Sequence, residues 1–177
     1  ERAFSDLRSY SISTAYLTEK SSLRLNIFSG KEKTYQAWYG VTEEDLHQKR
    51  RVNYAGTERP GSPYDNETDN YQQDHYQLFY NHQLGPSLTF QTALYYTAGK
   101  GYYEQYKADQ DYARYHMPYP INGTDTTFTT DLIRQLWLDN HFMGTTFSYQ
   151  WKQGRSVWNF GGAATRYIGH HFGKPIW

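Results

Sequence analysis

The sequence predicts an all-β chain, an antiparallel meander of about six long strands forming a segment of an outer-membrane β-barrel. Three observations predict it. Stretches of about 10 to 20 residues alternate apolar and polar side chains, the period of a strand with one dry and one wet face. Tight turns at Thr18–Ser22, Gly85–Ser87 and Lys152–Arg155 alternate with long polar loops, roughly Thr42–Asn70, Glu104–Thr130 and whatever follows Tyr167. Short turns would face the periplasm and long loops the outside. Aromatics make up 19% of the residues, with 19 Tyr against 2 Met, although hydrophobic residues reach only 37% and the mean hydropathy is −0.93. A disordered chain would be poor in aromatics, and amphipathic rings suit half-wet strands.

The first strand, Leu7–Leu17, sets Tyr10, Ile12, Thr14 and Tyr16 opposite Ser9, Ser11, Ser13 and Ala15. The second starts at Ser22, with Leu23, Leu25 and Ile27 opposite Arg24 and Asn26, and is expected to run on into Tyr35–Tyr39. The third, Tyr71–Leu84, places Tyr76, Leu78, Tyr80 and Leu84 opposite Gln73, His75, Gln77, Asn81 and Gln83. Gly85-Pro86-Ser87 then turns the chain. The fourth, Leu88–Tyr103, sets Leu88, Phe90, Leu94 and Tyr96 against Thr89, Gln91, Ala93 and Thr97. In the fifth, Asp131–Trp151, the apolar phase changes: Leu132, Leu136 and Leu138 are even, whereas Met143, Phe147, Tyr149 and Trp151 are odd. A one-residue slip swaps faces, which predicts a β-bulge near Asn140–Phe142; alternatively, the upper half obeys a different burial rule. The sixth puts Trp158, Phe160, Gly162 and Ala164 opposite Val157, Asn159, Gly161 and Thr165. Tyr16, Tyr80, Tyr149, Trp151 and Trp158 flank the short turns as a periplasmic aromatic girdle would, or as cross-strand pairs in a soluble sheet.

Composition excludes several classes. With 18 basic and 18 acidic residues the net charge is zero, against a nucleic-acid partner. The absence of cysteine removes disulfides, thiolate metal sites and Cys nucleophiles. No apolar run is long enough for a membrane helix, which leaves a strand-built span open. The chain opens and closes in mid-pattern, at Glu1-Arg-Ala-Phe4 and Ile176-Trp177, so residues 1–177 are expected to be a partial barrel domain of a larger protein.

Candidate ligand contacts fall in two groups. Gln73, His75, Gln77, Gln91 and Asn159 mark a wet, amide-rich face, suited to a barrel lumen or a sugar-binding sheet. Tyr102, Tyr103, Tyr106, Tyr112, Tyr115 and Tyr119 line the second long loop, either as aromatic walls for a flat or glycan ligand or as packing that stiffens the loop. The Lys49–Arg51 run is a solvated loop or a ligand or lipopolysaccharide contact. No metal or cofactor is expected: the histidines, including His170-His171, fit no ligand spacing, and Asp65–Asp74 lacks the glycine and closing glutamate of a calcium loop. No catalytic motif stands out. Asn66-Glu-Thr68 and Asn122-Gly-Thr124 match the glycosylation sequon by accident of composition.

Phe28-Ser-Gly-Lys-Glu-Lys-Thr-Tyr-Gln-Ala-Trp38, Tyr64-Asp-Asn-Glu-Thr-Asp-Asn-Tyr-Gln-Gln-Asp-His-Tyr76, Tyr95-Tyr-Thr-Ala-Gly-Lys-Gly-Tyr-Tyr-Glu-Gln-Tyr106 and Leu136-Trp-Leu-Asp-Asn-His-Phe142 resemble barrel strands of TonB-dependent outer-membrane receptors of the Bacteroidetes type. The resemblance covers nearly the whole chain but only a middle slice of such a receptor. It implies a wall segment in the bacterial outer membrane, without the plug domain or the TonB-binding segment. It further implies uptake of a siderophore, haem, cobalamin or glycan, with outer-membrane lipid, TonB and the plug as partners of the parent. Alone, the segment would expose strand edges and self-associate. Two alternatives stay open: a soluble carbohydrate-binding β-sandwich, and a porin or adhesin barrel without a plug.

Overall fold

The computed structural model describes residues 2–177. Six long strands form one antiparallel sheet: β1 (Ser5–Leu17), β2 (Ser21–Tyr35), β3 (Thr68–Gly85), β4 (Leu88–Asp111), β7 (Thr129–Gln153) and β8 (Ser156–Pro175). Their order is β1-β2-β3-β4-β7-β8, a meander in which sequence neighbours are also sheet neighbours. A separate ribbon, β5 (Ile121–Asn122) with β6 (Asp125–Thr126), decorates the β4–β7 connection. The outward edges of β1 and β8 have no strand partner among the described residues, so the sheet is open. Among the described residues no second sheet covers either of its faces.

The tight turns fall where the sequence puts them. At the β1–β2 turn the Thr18 amide donates to the Ser21 carbonyl at 2.8 Å, and the Ser21 amide donates to Thr18 Oγ1 at 2.9 Å. Gly154 closes the β7–β8 hairpin at φ 59°, a left-handed angle that glycine adopts without strain.

The long connections differ in extent from those predicted: the β2–β3 loop is longer because β2 ends early, and the β4–β7 loop is shorter because β4 runs on. β2 stops at Tyr35 instead of extending to Tyr39, because the Gln36 side chain turns in to bind the carbonyls of Thr68 (3.4 Å) and Glu104 (2.8 Å). β4 runs to Asp111, so part of the predicted Glu104–Thr130 loop is strand. Its polar residues are matched across the ladder: Glu104 with Gln135, Gln105 with Arg134, Tyr106 with Asp131. β8 continues to Pro175, so the residues after Tyr167 are strand where a loop was predicted. Residues 36–67 form the β2–β3 loop around helix α1 (Glu43–Gln48), whose Thr42 and Asp45 make a reciprocal capping box. Residues 112–128 form the second, beginning with a 3-10 turn over Tyr112–Tyr115.

The predicted bulge at Asn140–Phe142 is absent. β7 pairs with β4 without a break from Trp151↔Leu88 to Leu132↔Lys107, and with β8 from Gln153↔Ser156 to Arg134↔Pro175. Register shifts lie instead at Gln83/Gly85 and at Lys107/Gln110, where Asp109 adopts φ 52°. The apolar phase of β7 therefore changes without a slip, because the two ends of the sheet are covered differently. At the loop end, Leu132 is buried on the amide-bearing face at 2% exposure. The buried hydrophobic residues, Tyr35, Ala55, Tyr106 and Leu132, all sit at this end.

Elsewhere the two faces differ sharply. One, the banded face, carries in successive rows Leu88, Trp151 and Trp158; Phe90, Tyr149 and Phe160; Tyr16, Leu23, Tyr80 and Phe147; Leu25, Leu78 and Leu94; Ile12, Ile27, Tyr76, Tyr96 and Met143. The predicted girdle residues all lie here. The opposite amide face carries Ser11, Ser13, Asn26, His75, Gln77, Asn81, Thr146 and Ser148, interrupted by Leu17, Phe28, Phe79, Tyr95, Phe142 and Tyr167. No helix among the described residues is long and apolar enough to cross a membrane, which leaves strand crossings untouched.

Candidate ligand-binding site

Antiparallel register brings Gln73, His75, Gln77, Gln91 and Asn159 to the amide face, as their odd numbering in the alternation predicts. They are spread along it, and His75, Gln77 and Asn159 are held by their neighbours. His75 stacks on Phe28 with ring centres 4.3 Å apart, and its Nδ1 lies 3.1 Å from Thr97 Oγ1. Ser13 Oγ donates to Asn26 Oδ1 at 2.8 Å, and Asn26 Nδ2 donates to Gln77 Oε1 at 3.5 Å. Gln150 Nε2 donates to Asn159 Oδ1 at 3.3 Å. Gln73 lines a shallow hollow of about 410 Å³ with Leu7, Glu32 and Tyr71. Glycines let tyrosine rings lie flat on this face: a Cβ at Gly144 would meet the Tyr95 hydroxyl at 2.5 Å. The result is a surface of paired amide and hydroxyl dipoles with aromatic patches, able to hydrogen-bond a hydroxyl-rich or amide-bearing ligand.

The tyrosines do not form one wall. Tyr102 lies on the banded face, with its ring 4.5 Å from Trp137. Tyr103 projects to the amide face, edge-on to Trp38 at 5.3 Å. Tyr106 is buried, and its hydroxyl donates to Asp131 at 2.5 Å. Tyr115 donates to Gln110 at 3.2 Å and accepts from Arg134 at 3.2 Å. Tyr112 lines a separate hollow with Met117 and Trp177, and Tyr119 packs edge-on against Phe128. For Tyr102, Tyr103, Tyr106 and Tyr115 the geometry is that of packing that stiffens the loop end.

No protein-family model, no curated protein and no solved structure matches this chain.

Sequence reasoning missed the most constrained part of the loop end. Glu104, 3% exposed, accepts from Tyr64 (2.5 Å) and Asn66 (2.6 Å) on Oε1 and from Gln135 (2.7 Å) on Oε2. It fastens the β2–β3 loop to β4 and β7. Burial first, and the Glu104 carboxylate second, push the Tyr64 hydroxyl far above the ordinary phenol range. Glu67, 4% exposed, has its acid strength weakened by burial, partly opposed by hydrogen bonds from the Gly56 and Tyr106 backbone. Its Oε2 has no hydrogen-bond partner, and neither has Oε1 of the fully buried Gln36. Buried acids in an aperiodic loop leave no period to detect; the nearest signal is the run of polar residues Tyr64–Thr68 leading straight into a strand. Among the described residues no group of His, Asp or Glu is placed to hold a metal ion.

Proposed function

We propose that this chain is a wall segment of an outer-membrane β-barrel, and that the barrel belongs to a TonB-dependent receptor that imports a scarce ligand such as a siderophore, haem, cobalamin or glycan. One observation carries the barrel reading: a single face bears an apolar, aromatic-rich band that nothing in the chain covers. Leu94 is 52% exposed, Trp158 63% and Phe160 71%. From Leu88 to Ala98 the band spans about 34 Å along the strand at ~3.4 Å per residue. Tilted by about 40°, that is ~26 Å of height, close to the ~25 Å apolar belt of outer-membrane barrels. Within it the described residues place two charged side chains, Arg166 on edge strand β8, whose long side chain can reach toward the polar rows beyond, and Asp74 in the Ala98 row at the margin of the band.

The amide face would line the lumen. The loops 36–67 and 112–128 would face outward, where ligand is captured. The free edges of β1 and β8 are where a wider wall would continue, since a sheet this narrow does not close around an aqueous lumen. TonB and the plug would act on other parts of the receptor. The receptor assignment within the barrel class rests on the sequence resemblance alone.

The decisive test is light scattering of the 177-residue chain with and without detergent, with β-content from circular dichroism. A β-rich species soluble only as a detergent complex or edge-paired oligomer is expected. A β-rich monomer in plain buffer sinks the reading and favours a soluble binding module.

A further inference from the structure

Two oxygen atoms at the foot of the β2–β3 loop are unmatched. Gln36 is fully buried and Glu67 is 4% exposed, yet Gln36 Oε1 and Glu67 Oε2 have no hydrogen-bond partner among the described residues. Both are acceptors, and a buried acceptor without a donor is costly. Register makes the two residues neighbours. One step beyond the last β2–β3 pair, Tyr35↔Thr68, the Gln36 amide donates to the Glu67 carbonyl at 2.9 Å. Residues so opposed send their side chains to the same side of the pair. Both head groups then reach β4. Gln36 Nε2 donates to the carbonyls of Thr68 (3.4 Å) and Glu104 (2.8 Å), and the Tyr106 amide, two residues farther along β4, donates to the Glu67 carboxylate. The two carbonyls fix the way the Gln36 amide is turned: reversed, Oε1 would face both of their oxygens.

Among the described residues no charged group supplies the missing donor. Lys107 of β4 favours a charged Glu67, but it is paired with Glu58 of the loop, whose own charge opposes it. Arg2 donates to the carbonyls of Asn53 and Ala55, and Arg134 of β7 donates to Gln105 and Tyr115. The Glu104 carboxylate is taken up by Tyr64, Asn66 and Gln135. The Gly56 and Tyr106 amides serve Glu67 and still leave Oε2 bare. A single proton on Oε2 satisfies both oxygens, because it turns that atom into a donor. Burial, the largest influence on this carboxyl, favours the neutral form.

We infer that Glu67 is protonated in the closed loop and donates that proton to Gln36 Oε1, so that the β2–β3 loop is held by a latch that rising pH loosens. The latch does not depend on the barrel reading; on that reading it lies outside and answers to external pH. An open loop returns Glu67 to water and to its ordinary value of 4.5, whereas the closed loop keeps the proton above it. Closure is therefore strongest below 4.5, weakens as pH rises through the raised value and is level beyond it. The loop stays attached there through Glu104. Trp38, two residues from Gln36 and edge-on to Tyr103, rides on this junction, so loosening it frees an aromatic pair on the amide face.

The test is native-state hydrogen exchange of the full chain from about pH 4 to about pH 8, read as protection factors so that the pH dependence of the exchange chemistry is removed. The Gln36 amide should lose up to about tenfold in protection per pH unit above 4.5 and then level off, while the mid-sheet Leu94 amide stays constant. Glu67→Gln, checked for unchanged β-content, carries a permanent donor and should keep the acid-level protection at every pH. Just below the midpoint of the fall, the infrared spectrum of the native chain should show the carbonyl stretch of a protonated carboxyl that Glu67→Gln lacks. If that variant does not fold, the exchange profile of the native chain decides alone. A flat native profile overturns the inference: Glu67 is then ionised in the closed loop. A fall that persists in Glu67→Gln assigns the proton to another group and overturns it too. Low protection in Glu67→Gln at every pH does the same, since the site would then need the charge, as a bound cation requires.

Discussion

Replacing Glu104 by alanine should open the β2–β3 loop while leaving the sheet intact. Its carboxylate is buried and accepts three hydrogen bonds, from Tyr64, Asn66 and Gln135. Each charge-assisted bond contributes about 1.5–3 kcal/mol. Water entering the vacated space re-satisfies part of what is lost, so the sum is an overestimate. A local destabilisation of about 3–5 kcal/mol remains, because three buried neutral donors lose their acceptor. That corresponds to an increase in the open-loop population of about 10²–10⁴. Native-state hydrogen exchange reads it directly. The Tyr64 amide, bonded to the Gly56 carbonyl at 2.9 Å, and the Gln36 amide, bonded to the Glu67 carbonyl at 2.9 Å, should exchange faster by that factor. The Leu78 amide, in mid-sheet, should not change. Glu104→Gln should have a smaller effect, because its one carbonyl oxygen can still accept from Tyr64 and Asn66. If Tyr64 exchange is unchanged in Glu104→Ala, or Leu78 accelerates equally, the carboxylate is not what holds the loop.

Other outcomes follow from the same geometry. Burial raises the Glu67 pKa above its ordinary 4.5, so its contribution to loop stability is fullest below that value and is lost as pH rises through the raised folded pKa. Glu67→Gln should abolish this fall in the Tyr64 protection factor between acid and neutral pH. Leu94→Arg, in mid-band, should destabilise the lipid-supported fold by about 2–4 kcal/mol. Ala93→Arg, one residue away on the amide face, should cost about 1 kcal/mol or less, both read by urea unfolding in vesicles. Equal costs would show that the faces are not differently solvated. Gly144→Ala puts a methyl 2.5 Å from the Tyr95 hydroxyl and 2.8 Å from the Ala164 carbonyl. It should lower stability by about 1–3 kcal/mol, and pairing it with Tyr95→Ser should restore part of the loss.

Much of this architecture was legible because strands repeat every two residues. The turns at Thr18, Pro86 and Gly154 follow from turn chemistry, and the split of Gln73, His75 and Gln77 from Tyr76 and Leu78 and the shared face of Tyr16, Tyr80, Tyr149, Trp151 and Trp158 follow from that period. The period failed where its cause changes. In β7 the leucines at 132, 136 and 138 lie on the other face from Met143 and Phe147, with the ladder unbroken. A local slip and a change of surroundings give the same string of letters, and only pairing tells them apart. β4 was cut short for a related reason. Glu104–Asp111 is polar apart from Ala108, and its partners on β7 lie some 20 to 30 residues away, beyond any local pattern. The tyrosines of the second loop misled in the opposite sense: clustered in sequence, they are dealt to both faces and to a 3-10 turn.

The placement of the buried residues has a consequence for how stability is defined here. Tyr35, Ala55, Tyr106 and Leu132 form a small interior at one end, and the rest of the sheet has none. Over most of its length, then, the free energy of folding belongs to the chain together with its solvent. If the chain is the barrel wall proposed above, a denaturation midpoint in one lipid or detergent is a property of that mixture and should move with acyl-chain length. The loop end, which carries its own interior, should melt on a schedule set by denaturant alone, so a single chain would show two transitions answering to two different reagents.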